Sequence, residues 1–232
     1  MIEITWLGHS SIQLKLESGE TVLVDPWVEG NPKYPKDFEI KRADVILVTH
    51  GHFDHIASVA DLAGKFHATV VAIYEIASWL ESKGVKNTIG MNKGGTVTVA
   101  GLAATMVHAL HSSSIQDGDR LVYGGEAAGY VLGFPDNRRA YLAGDTTVFG
   151  DMRLIADLYR PELAFLPIGD LYTMSPKEAA LACRMLRPRK VIPIHWGTFP
   201  PLTGRPEQLA SLISDMPGTG VWTLEPGVPV NW

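Results

Sequence analysis

Short apolar runs alternate with stretches of helical periodicity along the whole chain. Brief apolar runs bounded by turn residues read as strands, and recurrence of apolar residues at i, i+3 and i+4 reads as helix. Strands are predicted at 2–7, 11–16, 21–24, 45–48, 69–73, 97–99, 103–110, 129–134, 139–142, 163–167 and 191–194. Helices are predicted at 56–65, 74–83, 152–158, 176–186 and 206–214. The fourth helix has a clear start, with Ser175 as N-cap, Pro176 in the first helical position and Glu178 completing a capping box. This alternation predicts an α/β fold, and with no long linker, low-complexity segment or short-period repeat, residues 1–232 read as one domain. The polar, proline-containing stretch 29–41 reads as a flap or a connection.

Six apolar runs finish on, or just before, a polar residue capable of metal or proton chemistry. The residues are Asp25, His50, His111, Asp145, Asp170 and His195. In α/β proteins functional groups collect on loops past the C-terminal ends of strands, so six such endings predict one convergent site.

Composition narrows the class. The chain has 20 basic and 25 acidic residues, a net charge of −5 and 46% hydrophobic residues. That suits a large apolar core and argues against a broad nucleic-acid or membrane footprint. No run of about 18 apolar residues spans a bilayer, and no signal peptide is visible, so the cytoplasm is the expected location. The lone Cys183 lies in an apolar stretch and reads as a small buried hydrophobe.

The chemistry concentrates in Thr49-His50-Gly51-His52-Phe53-Asp54-His55. Imidazole and carboxylate together suit zinc and neighbouring first-row ions. Alternation points His50 and His52 the same way, while Asp54 and His55 fall at the next helix start. Gly51 leaves room for a sharp backbone turn.

His-x-His-x-Asp-His after an apolar strand resembles the signature of the metallo-β-lactamase superfamily, and Asp25, a histidine near position 110, Gly144-Asp145 and His195 follow that superfamily's order. Leu166-Pro-Ile-Gly169 and Pro193-Ile-His-Trp-Gly-Thr-Phe199 look like the branch holding N-acyl phosphatidylethanolamine phospholipase D, ascorbate-6-phosphate lactonase and many small uncharacterised metal-dependent hydrolases. The resemblance implies a four-layer αβ/βα sandwich with two divalent metal ions, zinc first, with manganese, nickel or iron as alternatives. It implies that His50, His52 and His111 hold one ion and Asp54, His55 and His195 the other, with Asp145 bridging. A hydroxide between the ions would then attack a small phosphodiester, lactone or ester, with Asp54 and Asp145 as the catalytic carboxylates.

Between His108 and His111, His111 is the expected ligand, because residues three apart on a strand face opposite ways and His111 is at the strand end. The resemblance also implies that Asp25 and His9 brace ligands from outside, Asp25 also reading as a turn-forming Asp-Pro and His9 as a core histidine. Phe53, Tyr172 and Trp196 are candidate walls of a small-molecule pocket, with core packing as the plainer reading of each. The cationic run Arg184, Arg187, Arg189 and Lys190 reads as a charged helix C-terminus. A mononuclear iron dioxygenase and an RNA-processing nuclease are the alternative activities on this signature, a metal-binding module without catalysis is the non-enzyme alternative, and a homo-oligomer is left open.

Overall fold

A computed structural model describes every residue from Met1 to Trp232. The strands are β1 (Glu3–Trp6), β2 (Ile12–Lys15), β3 (Thr21–Val24), β4 (Val45–Leu47), β5 (Thr69–Ile73), β6 (Thr88–Met91), β7 (Thr96–Val99), β8 (Leu102–His108), β9 (Ser114–Asp117), β10 (Arg120–Tyr123), β11 (Ala128–Gly133), β12 (Arg139–Leu142), β13 (Leu163–Pro167), β14 (Lys190–Ile194), β15 (Gly220–Val221) and β16 (Val230–Asn231). The helices are α1 (Phe53–Ile56), α2 (Val59–Phe66), α3 (Tyr74–Ser82), α4 (Met152–Tyr159), α5 (Pro176–Leu186) and α6 (Pro206–Leu212). No helix is long and apolar enough to cross a membrane.

The chain divides into two compact units. The first comprises Met1–Asn92, Ser112–Glu126 and Leu224–Trp232; the second comprises Lys93–His111 and Ala127–Thr223. The first unit holds a seven-stranded sheet in the order β16-β1-β2-β3-β4-β5-β6, the hairpin β9-β10, and helices α1 to α3. β1, β2 and β3 pair antiparallel, whereas β3 to β6 run parallel. β1, β3 and β4 therefore end at the same edge, and the loops carrying His9, Asp25 and His50 leave from it. Three strands of this sheet, β3, β4 and β5, read as apolar runs because they are covered on both faces: Val22, Leu23, Val45, Ile46, Leu47, Val70 and Val71 are all fully buried.

The second unit repeats the plan, with a seven-stranded sheet in the order β15-β14-β13-β12-β11-β8-β7 and helices α4 to α6. β7, β8, β11 and β12 pair antiparallel, and β12 to β15 run parallel. β8, β12, β13 and β14 thus share a C-terminal edge, from which His111, Asp145, Asp170 and His195 emerge. Its helices pack Met152, Ile155, Ala179, Cys183, Leu186 and Leu209 against Tyr141, Ala164, Leu166 and Val191 of the sheet. Cys183 is fully buried among them, as expected of a small hydrophobe.

The capping box of α5 forms as predicted: Glu178 N donates to Ser175 Oγ, and Ser175 N donates to Glu178 Oε2 at 2.9 Å. The helix expected over 56–65 is instead two pieces. Ser58 interrupts it, accepting from Val28 N through Oγ at 2.9 Å while its own N donates to Pro26 O at 3.3 Å. That tie fixes α1 as a single separate turn holding Asp54 and His55.

Candidate metal centre

In the first unit each imidazole of the His-x-His-x-Asp-His run has one ring nitrogen occupied by a named neighbour. Thr49 Oγ1 lies 3.1 Å from His50 Nδ1, Ser112 Oγ lies 3.3 Å from His52 Nε2, and Asp25 Oδ2 lies 2.8 Å from His55 Nδ1. The opposite nitrogens are thereby directed inward. His50 Nε2 and His52 Nδ1 approach to 3.0 Å, and the His50 and His55 rings stand 4.0 Å apart between centroids. Fixing one nitrogen by a hydrogen bond sets the tautomer and orients the other lone pair, which is how metal-binding histidines are prepared. Two imidazole lone pairs aimed at one another repel unless a proton or a cation lies between them, so this donor set fits a divalent ion.

Asp25 anchors the arrangement. Its Oδ1 accepts from Thr49 N at 2.8 Å, its Oδ2 accepts from Thr49 Oγ1 at 2.6 Å, and the same Oδ2 holds His55. The backbone at Asp25 is left-handed, with φ 43°. Such a conformation costs about 1–3 kcal/mol and persists where the surroundings impose it. Asp25 is therefore a turn residue and a brace at once.

Asp54 projects from α1 with its side chain largely shielded. His9 Nε2 lies 2.9 Å from Asp54 Oδ2, and His55 Nε2 lies 3.9 Å from the same oxygen. Gly51 differs from the expected sharp turn: its φ is not left-handed, and its requirement is closeness. A Cβ there would lie 2.6 Å from Ile115 Cγ1, and Gly51 N donates to Ser113 Oγ at 3.1 Å.

In the second unit, Asp145 Oδ2 lies 3.0 Å from His195 Nε2 and 3.7 Å from His111 Nε2. One carboxylate oxygen thus stands beside two imidazole nitrogens supplied by the loops that follow two different strands. Gly144 and His195 both have left-handed backbones, φ 63° and 55°, which turn these side chains at the sheet edge. A Cβ on Gly169 would collide with the His195 carbonyl oxygen, so the loop after β13 packs directly on that turn. His108 sits elsewhere: its Nδ1 is 3.0 Å from Lys93 Nζ and its ring meets Phe149 edge-on at 5.3 Å. β8 ends at His108, and His111 lies in the loop beyond it.

The remaining candidates divide. Tyr172 is 56% exposed, in a loop where Asp170 and Leu171 are left-handed. Phe53 is exposed and meets Trp27 edge-on at 5.5 Å. Trp196 is half-buried, packs on the core of the second unit and donates to Pro193 O at 3.1 Å. Asp170 is exposed and donates and accepts within its own loop. Arg184 pairs with Asp215 at 2.8 Å, and Arg187 caps α5 in a left-handed conformation, in line with a charged helix end. Sequence reasoning missed Thr49 and Ser112 as histidine partners. Their only signal was a hydroxyl residue beside or far from the motif, which becomes meaningful only once the fold brings Ser112 back to His52.

Residues 20–196 match the family model described as a beta-lactamase superfamily domain. A UPF0173 metal-dependent hydrolase of Solibacter usitatus is 61% identical over 231 residues, covering 100% of both chains. A second, from Koribacter versatilis, is 52% identical over 213 residues and 91% of each chain. Among solved structures, Igni18, a metallo hydrolase from the hyperthermophilic archaeon Ignicoccus hospitalis, is 33% identical with a TM-score of 0.86, covering 100% of this chain and 99% of its own.

Proposed function

Because the chain belongs to the UPF0173 metal-dependent hydrolases of the beta-lactamase superfamily, we propose that it hydrolyses a small phosphodiester, lactone or related ester with two divalent metal ions, zinc or a neighbouring first-row ion. The observation that carries this reading is the placement of Asp145 Oδ2 beside both His111 Nε2 and His195 Nε2, at 3.7 and 3.0 Å. A carboxylate shared by two histidines from separate loops suits a ligand common to two ions. In the assignment that follows from the sequence pattern, His50, His52 and His111 serve one ion, Asp54, His55 and His195 the other, and Asp145 both.

Ions held there would lower the pKa of a bound water toward about 7 and would polarise the oxygen of the scissile bond. The chain's own residues do the rest. Thr49, Ser112 and Asp25 hold the three imidazoles of the run in place, so the ligand nitrogens need little reorganisation. The burial of His50, His55, Asp145 and His195 keeps bulk water from competing for them. Tyr172 and Phe53, both exposed, are available to line the substrate's approach.

Metal analysis of purified protein, paired with an activated aryl phosphodiester assay, tests the proposal. Close to two ions per chain and slow turnover, abolished by chelation and restored by zinc or manganese, is the expected result. Asp145→Ala should lose nearly all activity and at least one ion. Protein that holds no metal and takes up none on loading would overturn the reading.

A further inference from the structure

We propose that His9 is a positioning residue for Asp54, donating from Nε2 to the carboxylate and so fixing the oxygen that Asp54 presents to a metal ion. The inference rests on the reading of Asp54 as a ligand and goes beyond it. His9 Nε2 and Asp54 Oδ2 are 2.9 Å apart, with the histidine side chain wholly buried. A ligating aspartate is ionised and can only accept, so the proton of this hydrogen bond belongs to His9 Nε2. A nitrogen that carries that proton has no lone pair for a metal. His9 is thereby excluded as a ligand through Nε2, although it stands beside two candidate ligands.

The surroundings of His9 hold its ring against Asp54. Gly8 and His9 are both left-handed, φ 86° and 53°, and the turn closes through Leu7 N to Ser11 O at 2.8 Å and Ser11 N to Gly8 O at 3.0 Å. A Cβ on Gly8 would sit 2.5 Å from Lys33 O, so only glycine fits there. Trp6 Nε1 donates to His9 O at 2.9 Å, and the His9 ring meets Trp27 edge-on at 5.3 Å. Ser11 Oγ donates to Asp25 O at 2.8 Å and accepts from Trp27 N at 2.9 Å. The turn that carries His9 is therefore tied to the segment that carries Asp25. Asp54 and His55, adjacent in α1, are braced by opposite chemistries: a histidine holds the aspartate, and an aspartate holds the histidine. A strained backbone kept in place by this many contacts points to a positional demand on the side chain.

The test compares His9→Phe, which keeps a ring against Trp27 but has no donor, with His9→Gln, whose amide nitrogen reaches where Nε2 does. Zinc affinity is measured by chelator competition on refilled apoprotein, and the visible spectrum of the cobalt-loaded form reports ligand geometry. His9→Phe should weaken one ion roughly 10–100-fold while leaving the other at its wild-type affinity, with an altered cobalt spectrum. His9→Gln should recover most of that loss. If His9→Phe does not fold, His9→Asn, which tolerates a left-handed backbone but has a shorter reach, takes its place with the same expectation. Wild-type affinity for every ion in His9→Phe, or in His9→Asn where it takes its place, overturns the proposal. Should the wild-type protein hold a single ion, the two-ion reading fails by itself. The role of His9 then stands or falls on whether that ion weakens in His9→Phe and recovers in His9→Gln.

Discussion

Asp25 and His55 are joined, Oδ2 to Nδ1, across 2.8 Å where neither side chain meets solvent. The bond makes Nδ1 the protonated nitrogen of His55 and leaves Nε2 with its lone pair. Asp25→Asn would place an amide N–H2 or a single carbonyl oxygen where the carboxylate now serves Thr49 N, Thr49 Oγ1 and His55. An amide cannot accept at both ends, so either Thr49 loses a partner or His55 is driven to the other tautomer. We expect Asp25→Asn to weaken metal binding about 10–100-fold. We also expect it to lower the stability of the apoprotein by about 1–3 kcal/mol, the cost of one unsatisfied buried donor. Chelator competition and urea unfolding of metal-free protein measure the two effects separately. An unchanged metal affinity would mean that Asp25 serves only the turn.

Tyr172 offers a cleaner separation of substrate from metal. The residue is 56% exposed and its loop is closed by Asp170 N to Met174 O at 3.0 Å, so truncation should not disturb the sheet beneath. Tyr172→Ala should leave metal content and melting temperature at wild-type values and raise KM for a substrate with an apolar or aromatic group several-fold. A substrate without such a group should be unaffected. Equal kinetics on both substrates would remove Tyr172 from the pocket.

Cys183 should be inert in the native protein. Burial in the core of the second unit pushes its thiol up to about 12. At pH 8 only about one thiolate in ten thousand would then be present, and the thiolate is the reactive form. A disulfide reagent at pH 8 should label none of the folded chain within an hour and label one thiol promptly in guanidinium. Fast labelling without denaturant would show that α5 opens locally.

The parts of the fold legible in the sequence were those in which a chemical pattern coincides with a burial pattern. β3, β4, β5, β13 and β14 are apolar runs because both of their faces are buried, and candidate ligands follow β4 and β14. β6, β9 and β10 escaped notice for the converse reason. Tyr123, Leu121 and Arg120 of β10 are exposed and Gly90 interrupts β6, so no alternating core face marks them. β15 and β16 are two-residue additions at sheet edges, recruited by backbone pairing alone. The break between α1 and α2 was invisible because Ser58 bonds to Pro26 and Val28, about 30 residues away in the chain. The same distance problem hid Ser112, whose partner His52 lies 60 positions earlier. The ligand candidates themselves were readable because no core requires three histidines and an aspartate in six residues.

The sharpest remaining contrast is between His108 and His111. Sequence spacing put His111 at the end of a strand; in the structure the strand stops at His108 and His111 sits three residues beyond, in the loop. Loop placement frees His111 from the alternation of the sheet and lets its Nε2 come within 3.7 Å of Asp145 Oδ2. His108 is still in the ladder, opposite Ala128, with Lys93 Nζ on its Nδ1. A cation at that nitrogen occupies the lone pair, and Nε2 is left to carry the ring proton. His111→Ala should therefore remove a ligand, weaken one ion far more than the outer braces do, and collapse turnover. It should also reduce the melting-temperature gain that added metal produces, since binding to the folded state alone is what stabilises it. His108→Ala loses one partly buried hydrogen bond and an aromatic contact, a cost of about 0.5–1.5 kcal/mol, with metal stoichiometry intact. Both variants are loaded identically and analysed for metal, activity and thermal shift. An ion missing from His108→Ala, with two retained in His111→Ala, would reverse the assignment.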